Sequence, residues 1–308
     1  MLFDDFISTV VARIKDFLPD DFADASVTCE SVRKLGASYE GLIVRKEGSS
    51  CAPAISLNDA FDEYCIIGDL TAVMTNIALI ITEADYDRYE GATSIFNDYS
   101  SAKSKLFVRL SNAERNAATL DDCPHRIIED LVATYHILLR TDSDGYSSTL
   151  VTNILLSSFG ISADQLHEDA IRNSMTLLKP SFKSLGELLG LPPMGMGMFV
   201  LSNDAGLNGA SVILYPNVLK TISEFLGGDF FILPSSIHEV IILAAAGKEA
   251  CELAKIVKEV NGSAVSVPDQ LSDNVYFYNS ITDSWGLTEE SSVSPISPLE
   301  QKRNVILN

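Results

Sequence analysis

Apolar positions open the chain at helical spacing. Residues 2–18 place Leu2, Phe3, Phe6, Val10, Ile14 and Phe17 on one face, and Pro19 ends the helix. Alternation then takes over at 25–33 and 39–46, with Gly36 between the runs, which predicts a hairpin. From Asn58 to Ala84 the helical period returns through Leu70, Val73, Met74, Ile77, Ala78 and Ile81, and Gly68 divides the region in two. Residues 85–104 are polar and irregular and read as a loop or short helix. Leu106–Leu110 suits a strand and Asn112–Leu120 a short helix. The apolar run Arg126–Arg140 suits one long strand, with Asp142–Gly145 as a turn and Thr149–Leu156 as its return partner. Ser162-Ala-Asp-Gln165 is a capping box that opens a helix reaching about Met175.

The later part of the chain repeats a simpler order. Met198–Leu201 and Ala210–Leu214 read as strands around a loop at 203–209. Pro216 suits the first turn of a helix with the stripe Val218, Leu219, Ile222, Phe225 and Leu226, closed by Gly227-Gly228. Strand, turn and strand follow in FFILPSSIHEVIIL (230–243), then a helix over Ala250–Val260 with Leu253, Ala254, Val257 and Val260 inward, then a strand at Val275–Tyr278. This order indicates α+β architecture: two lobes, each a mainly antiparallel sheet covered by helices. The boundaries fall at 1–178 for the first lobe, 179–197 for a connection containing Pro192-Pro193-Met-Gly-Met-Gly, and 198–287 for the second lobe. A Ser-, Glu- and Pro-rich tail, 288–308, is expected to be disordered.

Charge narrows the partners. Hydrophobic residues make up 46% of the 308 positions, enough for a sizeable core, and the formal net charge is −20. Such a surface repels phosphates, so direct binding to nucleic acid or anionic membrane is not expected. It provides solubility, or it docks on a basic partner, or it mimics nucleic acid. Two aspartates stand near the start, where a signal peptide carries positive charge, and no apolar stretch approaches the ~18 residues of a membrane span, so a cytoplasmic protein is expected. The five cysteines are scattered without a CxxC, which suggests small apolar core residues rather than a disulfide or zinc framework.

Candidate chemistry centres on Pro234–Glu239. Ser235, Ser236, His238 and Glu239 bring together the residue types of a hydrolase, yet no GxSxG elbow surrounds either serine. HEVII lacks the second histidine of a zinc hydrolase. Proline and serine also serve turns, so a structural turn between two core strands is the competing reading. Asn203 ends a strand in the same lobe and can converge on this turn. His125 with Asp130 is a further candidate pair if the chain folds back. His136 and His167 read as isolated residues. The run beginning at Asp142 starts like a calcium loop but has Asn153 where the closing glutamate belongs. No metal site and no cofactor are expected.

Several stretches together are familiar: GISADQL ahead of Asn173, MFVLSND, GASVILYPNVL, GGDFFILPSSIHEVII and LSDNVYFY. In these the chain resembles the bacterial family called domain of unknown function 5688, found widely in Firmicutes, over most of residues 3–280. A more distant likeness is to domain of unknown function 1444, through Ala170–Asn173 and the Pro234–His238 turn between two hydrophobic strands. The likeness implies a shared two-lobe α+β plan and transfers no catalytic residue. The leading expectation is a non-catalytic protein-binding module with an acidic surface and a protein partner. The alternative is a small-molecule-binding protein or hydrolase around Ser235, His238 and Asn203.

Overall fold

The first apolar stripe folds as α1 (Phe3–Arg13), which buries Phe6 and Val10, and a 3₁₀ turn carries the chain toward Pro19. In this computed structural model residues 1–49, 52–84, 94–142, 145–190 and 197–288 are described. The hairpin forms as β1 (Ser26–Lys34) and β2 (Ala37–Arg45), antiparallel from Ser26↔Arg45 to Lys34↔Ala37. Gly36 supplies the left-handed turn at φ 79°. A short strand that the sequence did not suggest, β3 (Ala54–Ser56), adds to β2. Ser56 Oγ then accepts from the Asp59 N–H and starts α2 (Leu57–Ile67). Gly68 closes α2 at φ 74°, and Asp69 caps α3 (Leu70–Glu83) through the N–H groups of Thr71 and Ala72. The faces of these elements enclose one core of Phe6, Val10, Ile14, Leu42, Leu57, Met74, Ile77 and Ile81. Within the segment read as a loop or short helix, α4 (Tyr99–Lys103) forms, and the Tyr99 ring lies 5.6 Å from Phe159.

The described chain divides into two compact units. One is Met1–Ser104 with Ser157–Gly160, and the other is Lys105–Leu156 with the chain from Ile161 onward. The division between these units falls near 104/105. The second unit holds two antiparallel sheets. Its first elements are β4 (Leu106–Asn112), α5 (Ala117–Leu120), β5 (His125–Ile128), β6 (Leu131–Asp142) and β7 (Gly145–Leu150). The apolar run 126–140 is thus two strands, because Glu129 takes φ 57° and turns the chain. β4 lies along one edge of β6, while β5 and β7 share the other. The return strand ends at Leu150, and α6 (Asn153–Phe159) follows where strand was expected.

Ser162 caps α7 (Ala163–Leu177) as expected, accepting from the Gln165 N–H at 3.1 Å. The reciprocal half of the capping box is absent: the Gln165 amide donates instead to the buried Asp169 at 2.7 Å. Ser174 on α7 accepts from the Val108 N–H at 2.9 Å, joining the helix to β4.

The larger sheet takes β8 (Pro180–Ser184), then α8 (Leu185–Leu188), β9 (Met198–Asn203), a 3₁₀ segment (Gly209–Leu214) and α9 (Val218–Leu226). It continues with β10 (Phe230–Pro234), β11 (Val240–Ala244), α10 (Ala250–Ser263), β12 (Tyr276–Asn279) and β13 (Ser284–Leu287). The spatial order is β13-β12-β10-β11-β9-β8. Residues 180–188, assigned to a connection by their neighbouring Pro and Gly, are an edge strand and a helical turn. Residues 192–196 lie outside the described residues, as do 143–144 of the expected turn and the tail beyond Thr288. Ala210–Leu214 is 3₁₀ rather than strand; Ala210, Ser211, Val212 and Ile213 are buried in succession, so their order carries no period. Pro216 precedes the helix, which opens after Asn217 at φ 64°. α10 outruns its expected end and buries Asn261, leaving Val260 exposed.

Phe230, Ile232, Val240 and Ile242 have no solvent exposure. On the opposite face of the same strands, Phe231, Leu233 and Leu243 lie under Leu253 and Val257 of α10. Ile232→Ala is expected to cost about 2–5 kcal/mol, as large-to-small core changes do. Urea denaturation measures it; a loss under ~1 kcal/mol would place Ile232 outside the core that holds the sheet together.

Candidate functional site

Pro234 ends β10 where a missing N–H does no harm to the ladder, and the chain turns through Ser235–Glu239 before β11 begins at Val240. His238 therefore belongs to the turn and not to the strand. The Ser236 N–H donates to the Glu239 carbonyl at 3.1 Å and closes the turn. Both Ser235 Oγ and Ser236 Oγ donate to Glu239 Oε1 at 3.2 Å, and Ser236 Oγ accepts from the His238 N–H at 3.0 Å. The imidazole points elsewhere. Its Nδ1 accepts from the Asn208 N–H at 3.1 Å, and Nε2 lies 3.5 Å from Asp269 Oδ1. An Nδ1 that accepts leaves the proton of the neutral ring on Nε2, directed at Asp269. A serine nucleophile needs the imidazole to take its proton, and here each group is bonded to a different partner. The four residues are neighbours without forming a relay.

The loop after β9 meets this turn. Ser202 Oγ donates to the His238 carbonyl at 2.7 Å. Asn203, buried at the strand end, donates to the Leu207 carbonyl at 2.8 Å and accepts from the Ala205 N–H at 3.1 Å. Gly209 is wedged between the two segments: a Cβ there would lie 2.2 Å from Ser202 Oγ and 2.5 Å from the His238 carbonyl. Beside them opens a cavity of about 700 Å³, lined by Lys179, Ser181, Lys183, Asn203, Asp204 and Glu239 among others. His238 is not among its lining residues. Asn203 and Glu239 thus share a cavity, while Ser235, Ser236 and His238 hold the structure behind it.

A second concavity, about 400 Å³ and largely apolar, lies on the other face of β8 and β9 against α9. Phe182, Leu201, Val218, Ile222 and Phe225 contribute to it. Strand alternation explains the split, since 181 and 183 point to one face and 182 to the other. The Phe182 ring stacks on Phe199 at 4.8 Å, and Phe225 stands edge-on to both while remaining 65% exposed. Sequence reasoning missed these residues. The only signal was the three-residue alternation Ser181-Phe182-Lys183, obscured by Pro180 before it.

His125 and Asp130 are not brought together in action. His125 Nδ1 bonds the Cys123 carbonyl at 2.9 Å, whereas the Asp130 carboxylate accepts from Ser272, Asn274 and Tyr276. Cys123 is buried, and burial pushes its thiol up to about 11, while Cys65 and Cys251 are exposed, contrary to the core role expected of them. Cys51 lies outside the described residues. His136 is fully enclosed on β6, its Nε2 3.2 Å from Thr134 Oγ1. Nearby, Asn208 Nδ2 donates to Tyr146 at 2.8 Å, and Arg109 Nε and Asn208 Oδ1 have no hydrogen-bond partner among the described residues. Among the described residues no group of three or more His, Cys, Asp or Glu is placed to hold a metal ion. No helix among them is long and apolar enough to cross a membrane.

A family model described as "Family of unknown function (DUF5688)" matches residues 3–280, and the chain belongs to that family. No curated protein and no solved structure matches it.

Gly209→Ala is expected to cost about 1–3 kcal/mol, because the new methyl meets backbone on two sides. Ser235→Ala should cost only about 1 kcal/mol. Denaturation midpoints test both, and a harmless Gly209→Ala would mean the two loops are not held in contact. The histidines set a pH dependence. Burial, then Arg109, holds His136 well below the ordinary 6.5, and burial, then Arg126, lowers His167. Below about 6.5 the unfolded chain therefore binds more protons than the folded one, so stability is present above that pH and falls beneath it. Urea midpoints from pH 8 to 5 should drop less for His136→Gln than for the parent chain; equal slopes would contradict this.

Proposed function

We propose that this member of the DUF5688 family is a non-catalytic protein-binding module of the cytoplasm, and that it binds through the β8 side of its six-stranded sheet. The observation that carries the reading is the pair of concavities, one polar and one apolar, on the two faces of a single edge strand. Alternating polar and apolar receptors along an edge suit a protein segment better than a compact metabolite. Support for a non-catalytic role comes from the turn at 235–239, whose hydroxyl and imidazole groups are engaged in bonds that hold the loops together. The high negative charge then serves solubility over the remaining surface.

A second reading rests on the larger cavity alone. Its volume of about 700 Å³ lies within the ~300–1,000 Å³ of small-molecule sites, and Lys179, Lys183, Asn203 and Glu239 converge on it. Capture from an extract of the native host separates the readings. The immobilised parent chain should retain a specific protein that the double variant Lys179→Glu/Lys183→Glu does not. Recovery of the same protein by both would move the binding surface away from β8. A thermal shift with a small metabolite, without any captured protein, would favour the second reading.

A further inference from the structure

We propose that Arg109 anchors a binding site for a small oxyanion, a phosphate or a carboxylate group, gripped by Nη1 and Nη2 of its guanidinium. The site is separate from the surface at β8: none of its residues lines either concavity there. Arg109 lies on β4 opposite Thr134 of β6, and two residues along the same strands Phe107 stands opposite His136. Residues opposed in register project to one face of a sheet, so these four share a face. The side-chain contacts agree. Thr134 Oγ1 lies 3.2 Å from His136 Nε2, and the Phe107 ring lies 5.6 Å from His136 and 5.5 Å from Tyr146. Asn208 joins the group from the loop after β9. Its Nδ2 donates to the Tyr146 hydroxyl at 2.8 Å, and that hydroxyl donates to the Leu207 carbonyl at 3.1 Å.

In this setting the guanidinium lacks what a buried charge requires. Its Nε is enclosed out of reach of water and has no hydrogen-bond partner among the described residues. The residue as a whole keeps partial exposure, so the charge opens to solvent only at Nη1 and Nη2. Among the described residues neither terminal nitrogen has a hydrogen bond or an ion pair. Acidic residues outnumber basic ones by 42 to 22, yet the neighbours here are hydroxyls, an amide and an imidazole. Burial, then Arg109 itself, keeps that imidazole uncharged. Arginine does not shed its proton in a protein, so its charge stays. A buried charge without a counter-charge is strongly unfavourable. Asn208 Oδ1 is likewise enclosed and unpartnered among the described residues, a second polar atom left incomplete beside Tyr146. Water at Nη1 and Nη2 is the plain alternative. It would hydrate the nitrogens without countering the charge. An oxyanion does both, because its two oxygens match the guanidinium fork and the bonds are charge-assisted. An acidic chain does not gather anions by long-range attraction, so an anion held here is held by direct contact at the fork.

The test titrates the full chain by calorimetry with inorganic phosphate and, separately, with acetate, each replacing chloride at constant ionic strength. At least one of the two should bind saturably, one per chain, and raise the melting temperature. Arg109→Met should weaken that binding at least tenfold. Arg109→Lys keeps the charge and loses the fork, so it should weaken binding at least threefold. In chloride alone the Met variant should melt no lower than the parent, because it removes a charge that nothing offsets. Binding of phosphate alone identifies a phosphate-bearing ligand, binding of acetate alone a carboxylate, and binding of both the chemistry they share; each supports the proposal. Saturable binding that is unchanged in both variants overturns it, since the anion then sits elsewhere. So does the absence of saturable binding by either anion, which leaves water as the occupant of the fork. Where the Met variant melts too low to titrate, the Lys variant decides by the same criterion.

Discussion

The second unit depends on where Asp130 sends its carboxylate. It sits in the two-residue turn between β5 and β6, yet it accepts from Ser272 Oγ at 2.5 Å, Asn274 Nδ2 at 3.0 Å and Tyr276 OH at 2.5 Å. Hydrogen bonds to an ionised carboxylate are about twice as strong as neutral ones. Tyr276 has no solvent exposure, and burial together with Asp130 drives its hydroxyl far above the ordinary tyrosine range, so it remains a donor. Two further bonds reinforce the joint: Asn112 to the Leu271 carbonyl at 3.1 Å, and Asn261 of α10 to the Ser272 carbonyl at 2.9 Å. The smaller sheet, the larger sheet and its covering helix thus meet on the segment 271–276. Loss of the carboxylate would leave a buried phenol without its acceptor.

The candidate site is built outward from that joint. β12, fixed by Tyr276, pairs with β10, and β10 with β11, so the turn between them is set at both ends. The 3₁₀ segment after Gly209 then locks onto the turn, through the Ala210 N–H to the Ile237 carbonyl at 3.2 Å. Asp269 reaches the same turn through its carbonyl, which accepts from the Ile237 N–H at 2.8 Å. β9 and β8 extend from this frame as the last strands. Among the described residues β8 is therefore backed by β9 on one side and ends the sheet on the other.

How much of this was legible depends on what each residue had to do. Gly36 and Gly68 were readable because a left-handed turn leaves few alternatives to glycine. Phe230, Ile232, Val240 and Ile242 were readable because two strands long enough to alternate face a core on both sides. Glu129 was not, since nothing local marks it as a turn residue; its turn is held by contacts with residues more than a hundred positions away. Asn203 and the 235–239 turn were readable as strand ends that can converge, but whether their groups formed a relay depended on the Asn208 N–H, which carries no signature of its own. The capping box at Ser162 was half right, because Asp169 competes for the Gln165 amide and, being buried, needs it more.

The same contrast explains why the conspicuous residues and the proposed surface lie in different places. A buried turn must satisfy every backbone donor and acceptor it removes from water. Serine, histidine and glutamate at 235–239 meet that demand, so residue types that signal chemistry in other settings are here occupied by structure. Recognition through a strand edge works the other way. Its bonds come from N–H and C=O groups that every residue but proline possesses, and its selectivity comes from a few side chains on either face. Lys179, Phe182 and Lys183 are unremarkable when read one by one along the chain. They become a surface only when β9 supports them and the sheet ends. A motif search weighs side-chain chemistry at fixed spacing, so it finds the turn and passes over the edge.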